Sequence, residues 1–302
     1  MDEPLASIDL GTNSARLLIG RIDSGRSIRT LLVKKEITRL GGGFSRETGL
    51  SPEARGRTLA VLRDFAVELK RNHVTKIRAV ATSAVRDAVN GVAFVDEVLR
   101  ETGIRLRVID GLEEAILNLR GVVAGIGVEG ESLVFDIGGG STEYTLARGD
   151  VPRFTRSLPL GVVRLTEGKG DVAAMEEKIS RELKALREEI LSAGHGGALA
   201  GATLVGTAGT PATLAAVHMK LPDFDYRRVH GHSLSLDAIR TIRDTLLPLT
   251  PEQRLTVPGI EKGREDLVVS GILITVRTME MFGFESLTVC DTGLLEGLLL
   301  SL

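Results

Sequence analysis

The sequence Asp136-Ile137-Gly138-Gly139-Gly140-Ser141-Thr142-Glu143 follows an apolar run at 133–135 and precedes another run at 144–146. This order predicts a strand, a glycine turn and a second strand. Three glycines without Cβ atoms allow backbone N–H groups to approach and bind an anion. The acidic residues at either end would repel a phosphate unless a cation lay between them. The stretch therefore predicts phosphate bound together with a divalent metal.

A near-copy of this stretch, Ile8-Asp9-Leu10-Gly11-Thr12-Asn13-Ser14, lies near the N-terminus, again between apolar runs. The shared pattern, Asp–apolar–Gly–x–x–Ser, in two halves of one chain predicts a duplicated unit. A third small-residue turn, Gly206-Thr207-Ala208-Gly209-Thr210, lies between a predicted strand and a predicted helix. Free N–H groups at the start of such a helix can bind an anion.

The length of 302 residues predicts two domains, each large enough to bury its own core. Residues 1–122 show the element order β-β-β-α-β-α-β-α, which predicts a mixed sheet with helices packed on it. Residues 123–292 repeat this theme, and a final helix at 293–302 is assigned to the first domain. The predicted fold class is therefore α/β, with two duplicated domains whose mixed sheets are flanked by helices.

Individual elements are predicted from hydrophobic spacing and capping residues. Ser51 and Pro52 open a helix that runs to about residue 72. Thr82 or Ser83 is predicted to cap a short helix. Residues 171–193 have apolar side chains spaced by three and four, so Met175 in that stripe is predicted to be a core residue. Residues 194–197 are predicted to be a loop, and 202–205 a strand.

Composition and charge exclude several classes of protein. A net charge of −2 argues against a dedicated nucleic-acid binder. No apolar run is long enough to span a bilayer, so no membrane partner is expected. The N-terminus lacks the pattern of a signal peptide. The single cysteine, Cys290, cannot form an intrachain disulfide and is predicted to lie in the core, which fits a cytoplasmic location.

The two halves of the chain differ in charge. Residues 1–122 carry a balance of +4, and residues 123–302 carry −6. A mildly basic first half could attract a polyanion, although ordinary scatter of surface charge explains the difference equally well.

Other motifs indicate structure rather than chemistry. Residues 125–130 match G-x-G-x-x-G, but they follow a predicted helix and precede a strand, which is the reverse of a dinucleotide site. No P-loop pattern or Cys/His cluster for zinc occurs. His230 and His232 flank Gly231 in a predicted loop, where a structural role is favoured over catalysis.

Glu113 and Glu114 lie in the first turn of the helix that follows the strand predicted at 105–109. Acidic residues there interact favourably with the helix dipole, typically by about 0.3–1 kcal/mol. One of them could instead act as a general base that orients a water for attack on phosphorus. The spacing does not choose between the two glutamates.

The turns together resemble the exopolyphosphatase/guanosine-pentaphosphate phosphohydrolase (Ppx/GppA) family, a branch of the actin, sugar-kinase and heat-shock chaperone superfamily. The resemblance covers essentially the whole chain. Besides the three turns, the stretches that carry it are 81–86, 111–115, 159–164, 229–231, 263–266 and 291–297. It implies two actin-like (ribonuclease H-like) domains with the active site in the cleft between them. The chain resembles a short, two-domain form, and it has Leu295 where the family usually has Arg.

The resemblance also implies residue roles. The catalytic base falls on Glu114, and Arg86 matches an arginine near the substrate that could clamp a phosphate. Mg²⁺, or Mn²⁺, would be held by Asp136 and Glu143, with Glu143 also counted as catalytic and Asp9 as a further metal candidate. The phosphate would be held by backbone at Gly11, Thr12, Asn13, Ser14, Gly138, Gly139, Gly140, Ser141, Gly206, Thr207, Ala208 and Gly209.

The function that this implies is Mg²⁺-dependent hydrolysis of the terminal phosphate of inorganic polyphosphate, with guanosine pentaphosphate as the alternative substrate. Two other functions stay open: an acceptor-dependent phosphotransferase, and a non-catalytic sensor of guanosine tetra- or pentaphosphate. An exposed apolar face could support a homodimer.

Overall fold

The structure is a computed structural model that describes residues 3–24, 27–45, 47–222 and 225–302. The chain divides into two compact units, Met1–Ala124 with Gly293–Leu302, and Gly125–Thr292. Each unit is built on one sheet.

The first unit begins with an antiparallel meander of three strands. The sheet has the order β3-β2-β1-β4-β5, in which β4 and β5 run parallel to β1. Its elements are β1 (Leu5–Leu10), β2 (Ser14–Ile22), β3 (Ile28–Ile37), α1 (Pro52–Arg71), β4 (Lys76–Ala81), α2 (Ser83–Arg86), α3 (Gly91–Thr102), β5 (Leu106–Val108) and α4 (Gly111–Ile126).

The helix ends follow the capping rules in one case and depart from them in another. Ser51 caps α1 as predicted, because its side chain accepts a hydrogen bond from the Ala54 N–H. Thr82 stands at the N-cap of α2 but makes no side-chain capping bond, and Ser83 Oγ bonds to Thr12 instead. The predicted short helix with Thr82 at its N-cap position is confirmed, but neither hydroxyl makes a capping hydrogen bond, and that of Ser83 contacts the first glycine turn.

The second unit repeats the arrangement with one additional strand. Its sheet has the order β10-β11-β9-β6-β7-β8. Its elements are β6 (Glu131–Ile137), β7 (Thr142–Arg148), β8 (Val151–Leu158), α5 (Val162–Lys169), α6 (Val172–Ser192), α7 (Gly196–Ala200), β9 (Thr203–Thr207), α8 (Gly209–His218), α9 (Tyr226–Val229), β10 (Ser233–Ser235), α10 (Leu236–Leu246), α11 (Pro251–Arg254), α12 (Val268–Phe282) and β11 (Ser286–Cys290).

The duplication is visible in the strand pairing. In each unit an antiparallel meander, β1-β2-β3 or β6-β7-β8, is extended by two parallel strands, β4-β5 or β9-β11. The predicted α/β fold with two mixed sheets flanked by helices is confirmed. The predicted active-site cleft stays a prediction.

Several local predictions need correction. The loop predicted at 194–197 contains the start of α7, and the strand predicted at 202–205 continues to Thr207. The elements α5 and β10 were not predicted, because both are short. The helix at 171–193 is confirmed, with Asp171 as its N-cap and Met175 buried in its apolar stripe.

The last helix, α13 (Leu294–Leu299), packs on the sheet of the first unit. Leu295 is 4% exposed and contacts Leu18 and Leu299 in a small apolar cluster. Its backbone carbonyl accepts a hydrogen bond of 2.8 Å from Ser7 Oγ. The position where the family usually has Arg is therefore a core position in this chain.

Two further predictions concerned the single cysteine and membrane-spanning helices. Cys290 is fully buried in β11, as predicted for a core cysteine. In the part of the chain that the structure describes, no helix is long and apolar enough to cross a membrane.

Candidate active site

Both Asp–apolar–Gly–x–x–Ser stretches form the same turn. The Gly11 N–H donates to the Ser14 carbonyl over 3.0 Å, and the Gly138 N–H donates to the Ser141 carbonyl over 3.0 Å. A Cβ built on Gly11 or Gly138 would lie 3.3 or 3.1 Å from the same serine oxygen. The predicted strand–turn–strand structure is confirmed at both places.

Helix α5 holds the triple-glycine turn through the carbonyl groups of the turn. The N–H groups of Val162 and Val163 donate to the carbonyls of Gly138 and Gly139 over 3.0 and 2.9 Å. Gly161 makes this approach possible, because a Cβ there would lie 2.2 Å from the Gly139 carbonyl oxygen. Within the described residues the N–H groups of Gly139 and Gly140 donate to no protein acceptor. They are therefore available to an anion.

The first turn is held in a similar way by the loop after β3. The N–H groups of Gly41 and Thr38 donate to the carbonyls of Thr12 and Asn13 over 2.9 and 3.0 Å. Thr12 Oγ1 lies 2.8 Å from Ser83 Oγ. Asn13 is 8% exposed, and its buried Oδ1 makes no hydrogen bond to any described residue. A buried amide with unused hydrogen-bonding capacity at this turn fits a ligand.

The two units differ in the residue that faces the aspartate. In the first unit Asp9 pairs with Arg16 across β1 and β2, and Arg16 Nη2 lies 2.6 Å from Asp9 Oδ2. In the second unit the residue opposite Asp136, across β6 and β7, is Glu143. Directly opposed residues of antiparallel strands have Cβ atoms about 4.5–5.5 Å apart. Asp9 is thus paired with a cation, whereas Asp136 faces a second carboxylate.

Asp136 and Glu143 are 8% and 3% exposed. Ser157 on β8, which is the partner of Glu143 in the sheet, donates from its hydroxyl to Glu143 Oε1 over 2.7 Å. Among the described residues no group of three or more His, Cys, Asp or Glu side chains could hold a metal ion. Two carboxylates fit Mg²⁺, which commonly takes one or two protein carboxylates and completes its shell with water and phosphate. Asp9 forms an ion pair with Arg16, and its role as a further metal candidate stays a prediction.

Glu113 and Glu114 have different surroundings. Both oxygens of Glu113 accept hydrogen bonds from Arg107 at the surface, and these bonds lower the pKa of Glu113 below its usual value. Glu114 is buried, and its Oε2 lies 3.6 Å from Arg86 Nη1. Arg86 is fixed by a 3.0 Å hydrogen bond from Nη1 to the Ile109 carbonyl. The structure thus brings Glu114 and Arg86 together and places Glu113 in a surface ion pair.

The third turn has an unusual backbone. Gly206 and Thr207 are the last residues of β9, and Gly209 begins α8. Ala208 between them has φ 67° and ψ −161°, a region that is essentially restricted to glycine. Strain of this kind clusters at ligand sites.

Sequence reasoning assigned no role to Arg264, which lies against this turn. A Cβ built on Gly209 would lie 1.9 Å from Arg264 Nη1, so the guanidinium covers the start of α8. Arg264 is largely buried and donates from Nε to Glu261 over 2.9 Å. A cation beside the positive end of a helix is unfavourable by itself, and here the carboxylate of Glu261 offsets it. The stretch 263–266 is one of those that carry the family resemblance, but the sequence did not show that Arg264 would lie against the third turn.

The ring of His230 holds two backbone segments of the second unit. Its Nδ1 accepts from the Asp291 N–H over 3.2 Å, and its Nε2 lies 3.4 Å from the Gly125 carbonyl. These contacts support the structural role predicted for this histidine.

Comparison with known proteins identifies the family. A model of the Ppx/GppA phosphatase family matches residues 18–302. The chain belongs to this family. Exopolyphosphatase 2 of Mycobacterium tuberculosis is 34% identical over 99% of this chain and 98% of that protein. The prediction that the chain is a phosphoanhydride hydrolase is confirmed at the level of this family.

Solved structures agree with this assignment. The PPX-GPPA enzyme of Aquifex aeolicus superposes with a TM-score of 0.83 at 34% identity over the whole of both chains. An exopolyphosphatase from Cytophaga hutchinsonii superposes with a TM-score of 0.88 at 29% identity, over 98% of this chain and 96% of that chain. The individual roles of the site residues stay predictions.

The conformation of Ala208 predicts an unusual response to glycine. The substitution Ala208→Gly relieves backbone strain of about 1–3 kcal/mol. Glycine also gives the unfolded chain more conformational freedom, but this costs only about 0.4–1 kcal/mol. We expect the free energy of unfolding to rise by about 1 kcal/mol, measured by urea unfolding followed by circular dichroism. The control Ala185→Gly, at an exposed position in the middle of α6, should lower it by about 0.5–1 kcal/mol. A loss of stability in both variants would show that position 208 is not strained.

Proposed function

We propose that the chain hydrolyses the terminal phosphoanhydride bond of inorganic polyphosphate in a Mg²⁺-dependent reaction. The observation that carries this proposal is the buried pair Asp136 and Glu143, opposed in register beside the available N–H groups of Gly139 and Gly140. Two neighbouring carboxylates repel each other and repel phosphate. A divalent cation removes both conflicts.

Asp136 and Glu143 would hold the metal, and Ser157 fixes the orientation of Glu143. A bound Mg²⁺, or Mn²⁺, would offset the charge of the phosphate chain and stabilise the charge that develops on the transferred group. Carboxylate oxygens favour these hard cations over softer transition metals.

Backbone N–H groups would bind the phosphate oxygens. Gly139 and Gly140 supply them in the second unit, and Thr12 and Asn13 occupy the matching positions of the first turn. Arg264, at the start of α8, adds a positive charge to the third turn. Such preorganised donors stabilise charge in the transition state without reorganising during the reaction.

Glu114 is the residue that we assign as general base. It is buried, and its Oε2 lies 3.6 Å from Arg86 Nη1. A carboxylate can accept a proton from water and orient the oxygen for attack on phosphorus. Water activated in this way is itself the acceptor of the phosphoryl group, which favours hydrolysis over transfer to a second substrate.

The choice of polyphosphate has two supports. The relative in Mycobacterium tuberculosis is called an exopolyphosphatase and matches this chain along nearly its full length. The first half of the chain carries a balance of +4, which suits a long polyanion. Guanosine pentaphosphate is the second candidate substrate.

Phosphate release tests the substrate and the reaction class together. We expect release from long polyphosphate in the presence of Mg²⁺, without an acceptor, and at a higher kcat/KM than from guanosine pentaphosphate. A higher kcat/KM for guanosine pentaphosphate would make that compound, rather than polyphosphate, the substrate. Release that requires an acceptor would indicate a phosphotransferase, and tight binding of guanosine tetraphosphate without turnover would indicate a sensor.

The two neighbouring glutamates give a matched test of the base. Glu114→Gln should lower kcat by about 10²–10⁴-fold, because the general base is lost. Glu113→Gln removes surface ion pairs with Arg107 and Arg78 and should leave kcat within about twofold, since Glu113 has no proposed role in catalysis and such pairs contribute only about 0–1 kcal/mol to stability. Both are measured with polyphosphate at saturating Mg²⁺. Equal kcat values in the two variants would remove Glu114 from the mechanism.

The proposed metal ligands are tested with Asp136→Asn. The Mg²⁺ concentration for half-maximal activity should rise by more than about 100-fold. Loss of a residue that only supports a metal ligand typically costs about 10–100-fold, and Asp136 is proposed as a direct ligand. The control is Glu131→Gln on the same strand, where the carboxylate contacts Arg153 at the surface. Mg²⁺ binding is measured by calorimetry, and thermal unfolding without metal checks the fold. An unchanged Mg²⁺ affinity in Asp136→Asn would contradict the assignment.

A further inference from the structure

Two histidines of the second unit contact each other through ring nitrogens. His218 is the last residue of α8, and His232 follows the short helix α9. His218 Nδ1 lies 3.0 Å from His232 Nε2, with ring centroids 5.2 Å apart and ring planes inclined by 47°. His218 is exposed and His232 is half-buried, so solvent reaches the pair.

This pair is not part of the catalytic arrangement described above. Helix α8 begins at Gly209, beside the third turn, and rises about 1.5 Å per residue. His218 therefore lies at the opposite end of the helix, about 14 Å from that turn along the helix axis. Neither histidine contacts the two carboxylates.

The geometry of the two nitrogens fits a shared metal ion. Imidazole binds Zn²⁺ at about 2.0–2.1 Å, and two such bonds at angles from 90° to tetrahedral place the nitrogens about 2.9–3.4 Å apart. The two nitrogens share a hydrogen bond of 3.0 Å, a separation that lies within that range, and a bound metal ion would replace this bond. We propose that His218 and His232 chelate a transition-metal dication such as Zn²⁺, Ni²⁺ or Cu²⁺.

The electrostatic state of the pair agrees with this role. Burial, and then repulsion from His218, lowers the pKa of His232. The ring is therefore neutral above pH 7 and keeps a lone pair for a metal. No third His, Cys, Asp or Glu of the described residues joins the pair, so water would complete the coordination shell. Binding then depends on both rings, and loss of either should remove most of the affinity.

The chemistry separates this site from the proposed catalytic metal. Imidazole suits Zn²⁺, Ni²⁺ and Cu²⁺, whereas carboxylates suit Mg²⁺ and Mn²⁺. Excess Mg²⁺ should therefore fill the carboxylate pair and leave the histidine pair accessible to zinc. The histidine site does not depend on the proposed hydrolysis.

The test uses the full chain without a histidine tag, at pH 7.5 and in excess Mg²⁺. Histidine side chains are labelled with ¹⁵N, and ZnCl₂ is added while the imidazole resonances of the five histidines are followed by NMR. We expect two rings to shift and to saturate at one equivalent of zinc. The resonances are assigned from the variants His218→Gln and His232→Gln.

Each of these variants should bind zinc at least about tenfold more weakly than the wild type. The control His195→Gln should bind zinc normally, since that ring packs edge-on against Phe154 in the same unit. Zinc shifts that map to other histidines, wild-type affinity in either single variant, or the same shifts with Mg²⁺ alone would overturn the proposal. The absence of any shift would overturn it as well.

Discussion

The close opposition of Asp136 and Glu143 is the constraint on which the second unit depends. The strand register places the two side chains face to face, and the surrounding sheet keeps water from most of their surface. Like charges opposed across a strand pair destabilise a sheet, and burial increases the cost. The proposed Mg²⁺ would offset this cost. In the first unit the equivalent positions hold an ion pair, Asp9 and Arg16.

The glycine turns can be understood from what holds them. In the second unit the carbonyls of Gly138 and Gly139 are bound by the start of α5, so the turn cannot rotate to hide its N–H groups. Gly161 brings helix and turn close enough for those bonds. The donors are therefore fixed before any anion arrives, which is the condition under which backbone dipoles bind charge well. A duplicated unit has thus kept one turn geometry and changed the chemistry beside it.

Much of the fold was predictable because local sequence and tertiary structure agree. The apolar stripe of α6, the Ser51 cap and the repeated turn each point to one conformation that the rest of the chain supports. The spacing alone did not choose between Glu113 and Glu114, since both lie in one helical turn, and only the family resemblance pointed to Glu114. Their difference comes from Arg107 and Arg86, which reach them through the fold.

The family resemblance implied Asp9 as a further metal candidate, and this stays a prediction. Seven positions after each aspartate the two units differ, because Arg16 stands in the first unit where Glu143 stands in the second. The conformation of Ala208 and the position of Arg264 had no local signal, because a strained backbone and a distant side chain are imposed by packing.

The single cysteine has a practical consequence. Cys290 ends β11, which lies between β9 and β10, and its thiol is closed to solvent. A thiol reagent can react only after this part of the sheet opens, because the attacking group is the exposed thiolate. Since the chain has no other thiol, the rate of labelling would report the opening free energy of the second unit alone. The labelling rate of Cys290 thus measures local unfolding, and a bound ligand of that unit would slow it by about tenfold for every ~1.4 kcal/mol of stability that it adds.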